Sequence, residues 1–354
     1  MCTECFIILL VYVLPIQSRD LSKPGEITFD QYQRYQNIQD YLYRLNGTYK
    51  RLVTVEHFGV SVENRNLTSI KISTGGNFKK PLIFIDAGIH AREWIGPAQA
   101  LYVIHRLVEN PSLSSLVKNV NWLIVPLVNP DGYEYSHMVD RLWRKNRAKG
   151  KICDGVDLNR NFDFQWLHSG ASRSECSNNF AGVRPFSEPE SLALSKIIAK
   201  HAESTSIYIS LHAAAQSILY PWGYTTDLPD NGQELHDLAQ NLTEAVYRVN
   251  STQYKVGSSA NILYADSGTS RDWAYAVANI KLAYTIELKG FSDSLLNRRR
   301  GGRFDIPPED ILNVVSEMFE GIKRLHSYVE PKHQVCALTF DNLINNLKRI
   351  FFFV

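Results

Sequence analysis

The run Gly88-Ile-His90-Ala-Arg92-Glu93-Trp94 sets an imidazole and a carboxylate three residues apart in a chain of 354 residues. On a turn that enters a helix, this spacing puts both side chains on one face. They then form two-thirds of a His2Glu zinc site. With ten histidines in the chain, chance alone supplies about half of one such match. Position adds weight: the pair follows the apolar run 82–87, at the kind of strand end where α/β sheets place ligands.

A third ligand must come from elsewhere. His212 ends a second apolar run, Ile207-Tyr-Ile-Ser-Leu-His212, and so belongs to the same type of sheet edge. A lone strand-end histidine is more often a hydrogen-bonding residue than a ligand. Glu287 ends a third run, Leu282-Ala-Tyr-Thr-Ile-Glu287, where a carboxylate is costly unless paired or functional. It suits a general base beside a metal-activated water. Arg144, Asn159 and Arg160 supply guanidinium forks and an amide donor able to clamp a carboxylate. Lys145 and Arg147 read as a solvated basic loop.

These residues need rigid elements behind them. Short β-branched runs predict strands at 52–57, 68–72, 82–87, 122–127, 207–212 and 283–288. Longer amphipathic runs predict helices at 29–45, 96–108, 188–202, 232–250, 270–278 and 308–328. The helix at 188 opens with Ser187 as N-cap, Pro189 at its start and acidic residues in its first turn. The alternation argues one α/β domain with helices on both faces of a largely parallel sheet. Between residues 129 and 184 it lapses into a long polar stretch, which Cys153 and Cys176 would staple as a surface-loop disulfide.

Composition narrows the class. With 38 Lys+Arg against 36 Asp+Glu the chain has no polyanion-binding field, so nucleic acid is not the expected partner. Nine apolar residues, 6–14, are too few to span a bilayer, which takes about 20, but fit a signal-peptide core over 1–18. Sequons at Asn46, Asn66, Asn241 and Asn250 agree with export. The expectation is a secreted monomer without a transmembrane segment.

The sequence resembles the zinc metallocarboxypeptidases of the pancreatic A/B type. The matching motifs, in family order, are His-Ala-Arg-Glu-Trp (90–94), Asp-Arg-Leu-Trp-Arg-Lys (140–145), Asp-Leu-Asn-Arg-Asn-Phe (157–162), Tyr-Pro-Trp-Gly-Tyr (220–224), Ile-Leu-Tyr-Ala-Asp-Ser-Gly-Thr-Ser-Arg-Asp-Trp (262–273) and Thr-Ile-Glu-Leu (285–288). They cover residues 27–330 and leave 331–354 as an unassigned tail. The resemblance implies a single α/β domain with a mixed, mostly eight-stranded sheet flanked by helices. It implies one Zn2+ held by His90, Glu93 and His212, as in carboxypeptidase A. Glu287 would be the general base and Arg144 the oxyanion donor. Asn159, Arg160 and Tyr264 would hold the carboxylate of a peptide or protein C-terminus. Arg92 would serve an adjacent subsite, and Cys153 and Cys176 fall at the family's disulfide pair.

In such enzymes position 271 lies at the base of the terminal side-chain pocket. Arg271 resembles the O-type branch and implies acidic C-terminal residues. That branch lacks an inhibitory prodomain, and the similarity here leaves no room for one. Asp266 departs from the pattern. Paired with Arg271 it makes the pocket nearly neutral; facing the ligand alone it favours basic ends, as in the B-type. His212-Ala-Ala-Ala lacks the usual Ser-Tyr after the zinc histidine. About eight extra residues follow Glu287, either a new substrate-contacting element or a splicing fault, and such surface additions are tolerated thermodynamically. That loop leaves room for a second reading, a pseudo-enzyme that binds peptide C-termini; Glu287 speaks against it, because a binder needs no base.

Overall fold

A computed structural model describes residues 25–76, 80–291 and 302–351, with side chains only to residue 330 in the last segment. The expected signal segment and residues 292–301 of the loop after Glu287 lie outside the described residues.

In chain order the elements are α1 (Tyr35–Thr48), β1 (Val53–Val60), β2 (Asn66–Ile72), β3 (Leu82–Ala87), α2 (Ile95–Val108), α3 (Ser115–Lys118), β4 (Asn121–Val125), α4 (Pro130–Met138), α5 (Pro189–His201), β5 (Thr205–Ala213), β6 (Ser217–Tyr220), α6 (Gly232–Asn250), β7 (Lys255–Ser258), α7 (Ser259–Ile262), α8 (Ser270–Ala276), β8 (Ala283–Leu288) and α9 (Pro308–Phe351). Among the described residues the strands form one mixed sheet of eight, ordered β1-β2-β4-β3-β5-β8-β6-β7. Its centre, β4-β3-β5-β8, is parallel. Antiparallel pairings join β1 to β2, β2 to β4 and β6 to β8. The architecture is a single α/β domain.

The central strands are buried along their length, β3 at every position, because helices cover both faces. On one side α2 and α6 pack against α9; on the other α5 meets α8. Helix α2 is apolar nearly all round, since it lies between β3, β5 and α9. Truncating its fully buried Leu101 to Ala would cost about 2–5 kcal/mol.

Three expectations need correction. Helix α5 begins at Pro189 with Glu188, not Ser187, at the N-cap; the Ser187 hydroxyl donates instead to Glu188 Oε1 (2.7 Å). The polar stretch after 129 opens with a helix, α4, capped by Asn129 Oδ1, which accepts from the Gly132 amide at 2.9 Å, with Pro130 in the first turn. The last helix passes residue 328 and continues through Pro331 to Phe351.

Among the described residues, no helix is long and apolar enough to cross a membrane. Cys153 and Cys176 are joined as a disulfide with Cα atoms 5.0 Å apart.

Candidate metal centre and peptide cleft

The site lies across the C-terminal ends of β3, β5 and β8. β3 ends at Ala87 and Gly88 turns the chain at φ +68°, a conformation that favours glycine. A Cβ there would also lie 2.7 Å from a Leu127 methyl and 2.9 Å from Pro97. This turn delivers His90 and Glu93 just before α2. His212 lies next to last in β5, and the parallel register pairs it directly with Glu287 of β8. Three non-local segments thus meet at one sheet edge.

The ligand atoms of His90, Glu93 and His212 lie within 4.8 Å of one another, and all three residues are buried. Glu93 Oε1 is 2.9 Å from His90 Nδ1, and Oε2 is 3.1 Å from His212 Nδ1. The two Nδ1 atoms are 3.0 Å apart. The far side of each ring explains this crowding. His90 Nε2 faces Asp157 Oδ1 at 3.2 Å, and a carboxylate only accepts, so the proton resides on Nε2. His212 Nε2 meets Ser210 Oγ at 3.1 Å, while that hydroxyl donates to Asp86 Oδ1 at 2.8 Å. Ser210 therefore accepts from His212 Nε2. Both Nδ1 lone pairs and a carboxylate then converge with no proton to share, a donor set that fits a cation.

The charges show how strongly these groups are coupled. Burial opposes a charged His212, but Glu93 outweighs it and raises the imidazole, so in the absence of a cation His212 tends to hold a proton that a bound metal would displace. Burial opposes ionisation of Glu93, but His90 and His212 outweigh it and hold its carboxyl well below the usual range. Burial and the nearby Arg144 lower His90. Burial also disfavours charge on Asp157, yet Arg144, His90 and Arg160 keep its carboxyl well below its ordinary value.

Arg144 donates from Nε and Nη2 to Asp157 Oδ2 at 3.0 and 2.9 Å. Its remaining Nη1 is 3.8 Å from Glu93 Oε1. Burial works against the charge, but Asp157 and Glu93 push the guanidinium above its ordinary value, so it stays ionised. Glu287 opens to the cavity and accepts from the Ala215 amide. Loss of solvation, with the Glu93 charge nearby, raises its carboxyl to about 7.

One cavity of about 280 Å³ is lined by every site residue expected from the sequence: His90, Arg92, Glu93, Arg144, Asn159, Arg160, His212, Tyr264, Asp266, Arg271 and Glu287. Asn159 Oδ1 accepts from the Ser270 amide (2.9 Å), which leaves its side-chain NH2 group for a ligand. Arg160 donates from Nε to Gly170 O (2.9 Å) and from Nη1 to Asn159 O (2.8 Å), leaving Nη2. Tyr264 is half exposed at the rim. Arg271 is buried, and donates from Nε to Asp272 Oδ1 (3.0 Å) and from Nη2 to Asp266 Oδ1 (3.2 Å). Its Nη1 has only a long contact with Thr285 Oγ1, 3.5 Å. Gly223 keeps this corner open, because a Cβ there would collide with both Asp266 Oδ1 and Arg271 Nη2.

Sequence reasoning missed several supports. Asp157 stood in a quoted motif, but its contact with His90 depends on the fold. Asp86 and Ser210 hide inside apolar strands. The lining residues Thr285, Arg303 and Phe304 gave no local signal. The solvated reading of Lys145 and Arg147 is wrong. Lys145 is buried and donates to Glu175 O at 2.6 Å, and the Arg147 guanidinium lies 3.7 Å over the Tyr135 ring.

Sheet, clefted strand ends and a His2Glu donor set define a metal-dependent hydrolase of α/β type. A family model described as zinc carboxypeptidase matches residues 38–321. Carboxypeptidase B of Astacus astacus is 41% identical over 306 residues, covering 85% of this chain and 98% of the relative. Carboxypeptidase O of Homo sapiens is 37% identical, covering 86% of this chain and 81% of that protein. The crystal structure of carboxypeptidase A from Helicoverpa armigera superposes with a TM-score of 0.82 at 35% identity, over 88% of this chain and 76% of that one. The chain belongs to the zinc carboxypeptidase family. It is a metallocarboxypeptidase of a family that uses one zinc ion, and it carries a His-Glu-His triad able to hold a metal ion.

Proposed function

We propose that this carboxypeptidase removes C-terminal residues with acidic side chains from peptides or proteins, and that Asp266 tempers the preference. The observation that carries the reading is the placement of Arg271 in the same cavity as Arg160, with Nη1 barely engaged. A carboxylate or amide oxygen entering the corner gains a charge-assisted hydrogen bond there. Asp266 already takes Nη2 and lies 3.9 Å from Arg160 Nη1, so the net field is weak. Discrimination of Glu over Gln should therefore be small.

The residue roles follow from free donors and acceptors. Arg160, Asn159 and Tyr264 hold the terminal carboxylate and so fix which peptide bond reaches the triad. Zinc, when bound by His90, Glu93 and His212, supplies Lewis-acid polarisation of the scissile carbonyl and of water. Glu287 takes the proton of the attacking water and returns it to the leaving amine. Arg144 donates to the oxygen on which negative charge develops, its charge secured by Asp157. Arg92 contributes to the subsite next to the scissile bond.

A preference for basic ends would need a free Asp266 carboxylate, but Arg271 and the Ser259 hydroxyl (3.1 Å) already engage it. A binding-only role would not call for Glu287 in register with a zinc ligand. We place the catalytic domain at residues 27–330, and read the protein as a secreted monomer whose segment 1–18 is a signal peptide.

The test is release of the terminal residue from matched blocked peptides ending in Glu, Gln, Leu and Lys, with and without a zinc chelator. Chelator-sensitive release with Glu at or above Gln, and both above Leu and Lys, is expected. Lys first would transfer the specificity to Asp266. No release with zinc bound would leave a peptide-binding protein.

A further inference from the structure

The cavity that holds Arg160, Arg271 and the metal triad is also lined by Arg92, Ala214, Arg303 and Phe304. These four group together, since Arg92 stacks on Phe304 and Gly290 meets both Ala214 and Arg303. We propose that Arg303 is a specificity residue for the part of the substrate that precedes the scissile bond, favouring Glu or Asp in the last two positions before it. This rests on the exopeptidase reading given above.

Three observations carry the proposal. Arg303 is exposed to the cleft and, among the described residues, has no carboxylate partner. Asp305, two residues on, lies 3.5 Å from Arg141 Nε. The second guanidinium of this group, Arg92, is stacked 4.4 Å from the centre of the Phe304 ring, with one long contact to Leu142 O at 3.4 Å. Two guanidinium groups thus line the cavity that holds the metal ligands, and among the described residues neither makes an ion pair within 4 Å.

The backbone that presents Arg303 is also fixed. Its carbonyl accepts from the Phe291 amide at 3.0 Å. A Cβ on Gly290 would lie 2.6 Å from Ala214 Cβ, 2.8 Å from Arg303 O and 3.3 Å from Arg303 Cβ. Gly290 thus lets the backbone at Arg303 pack closely beside Ala214.

The experiment uses zinc-loaded protein and peptides sharing one C-terminal residue, with Glu, Gln or Lys at either of the two preceding positions. At low salt kcat/KM should favour Glu over Lys by about tenfold, the scale of a few exposed charge contacts, and the ratio should shrink in 0.5 M salt. Arg303→Gln should bring the ratio to about twofold or less, Arg303→Lys should retain most of it, and neither should alter the ranking of C-terminal residues. Equal rates in the wild-type protein, or an undiminished ratio in Arg303→Gln, would overturn the proposal. Binding of the same peptides to the zinc-loaded Glu287→Gln variant gives a second readout. If nothing is hydrolysed, the exopeptidase reading fails, while the binding ratios still decide the role of Arg303.

Discussion

Asp266 accepts a hydrogen bond from Arg271 at 3.2 Å and stands 3.9 Å from Arg160, so one buried carboxylate lies between the guanidinium of the side-chain corner and that of the carboxylate clamp. Burial alone would favour a neutral acid, yet Arg271 and Arg160 lower its carboxyl below the ordinary value. It is a charged member of the pocket at neutral pH.

Replacing Asp266 by Asn should therefore sharpen the acidic preference. The ratio of kcat/KM for Glu over Gln termini should rise by about tenfold, on the scale of one charge-assisted contact released to the substrate. Arg271→Ile should do the opposite and move preference toward apolar termini. An unchanged release profile in Arg271→Ile would remove that residue from the pocket.

Glu287→Gln should abolish turnover and leave zinc bound, because on the proposed mechanism Glu287 serves the water and the leaving amine and lies outside the His90-Glu93-His212 group. Metal analysis alongside single-turnover assays separates the two effects. Substantial residual turnover would exclude Glu287 as the base.

Asp157 fixes the His90 ring and pairs with Arg144. Asp157→Asn should weaken zinc binding by about 10- to 100-fold, read by competition with a chelating dye. It should also lower kcat at saturating zinc, since Arg144 loses its charged anchor. Equal zinc affinity would show that His90 needs no orienting partner.

Stability should depend on pH through Glu190, which does not line the cavity. Burial raises its carboxyl to about 7, although the Val62 amide (3.0 Å) and Asn146 (3.2 Å) donate to it. The folded value lies above the unfolded one, so its favourable contribution is complete below about pH 4.3 and is lost as pH rises through about 7. Glu190→Gln should remove that part of the pH dependence, so the change in stability between pH 4 and pH 8 should differ between the two proteins by on the order of 3 kcal/mol. Denaturant melts of both proteins at the two pH values check this; equal pH dependence in the two would contradict it.

Much of the catalytic centre was legible because its residues end strongly apolar strands. The strands at 82–87 and 283–288 match β3 and β8; His90 and Glu93 follow the turn after β3, and Glu287 is next to last in β8. β6 and β7 were not legible: each has four residues, too few for a periodic signal. α4 had a readable start in Asn129-Pro130-Asp131, but its polar composition hid it. The Asp266–Arg271 pair could be posed from sequence as one of two arrangements, and the structure has them paired at 3.2 Å, with Gly223 too close to both to carry a Cβ. Lys145 looked solvated because its partner, the Glu175 carbonyl, lies 30 residues away across the disulfide loop.

That loop has a consequence for where the enzyme can be made. Arg144 and Asp157 close the two ends of one excursion of chain, and Cys153 lies within it, tied to Cys176. Glu175, next to the second cysteine, receives the amides of Lys151 (3.0 Å) and Ile152 (2.9 Å) as well as the Lys145 ammonium. Production in a reducing cytosol would leave β3, β5 and β8 to assemble the three ligands and Glu287, while the strap that steadies Arg144 and the partner of His90 stayed open. Such a preparation would load metal yet turn over poorly, and oxidative refolding, rather than added zinc, would be the remedy.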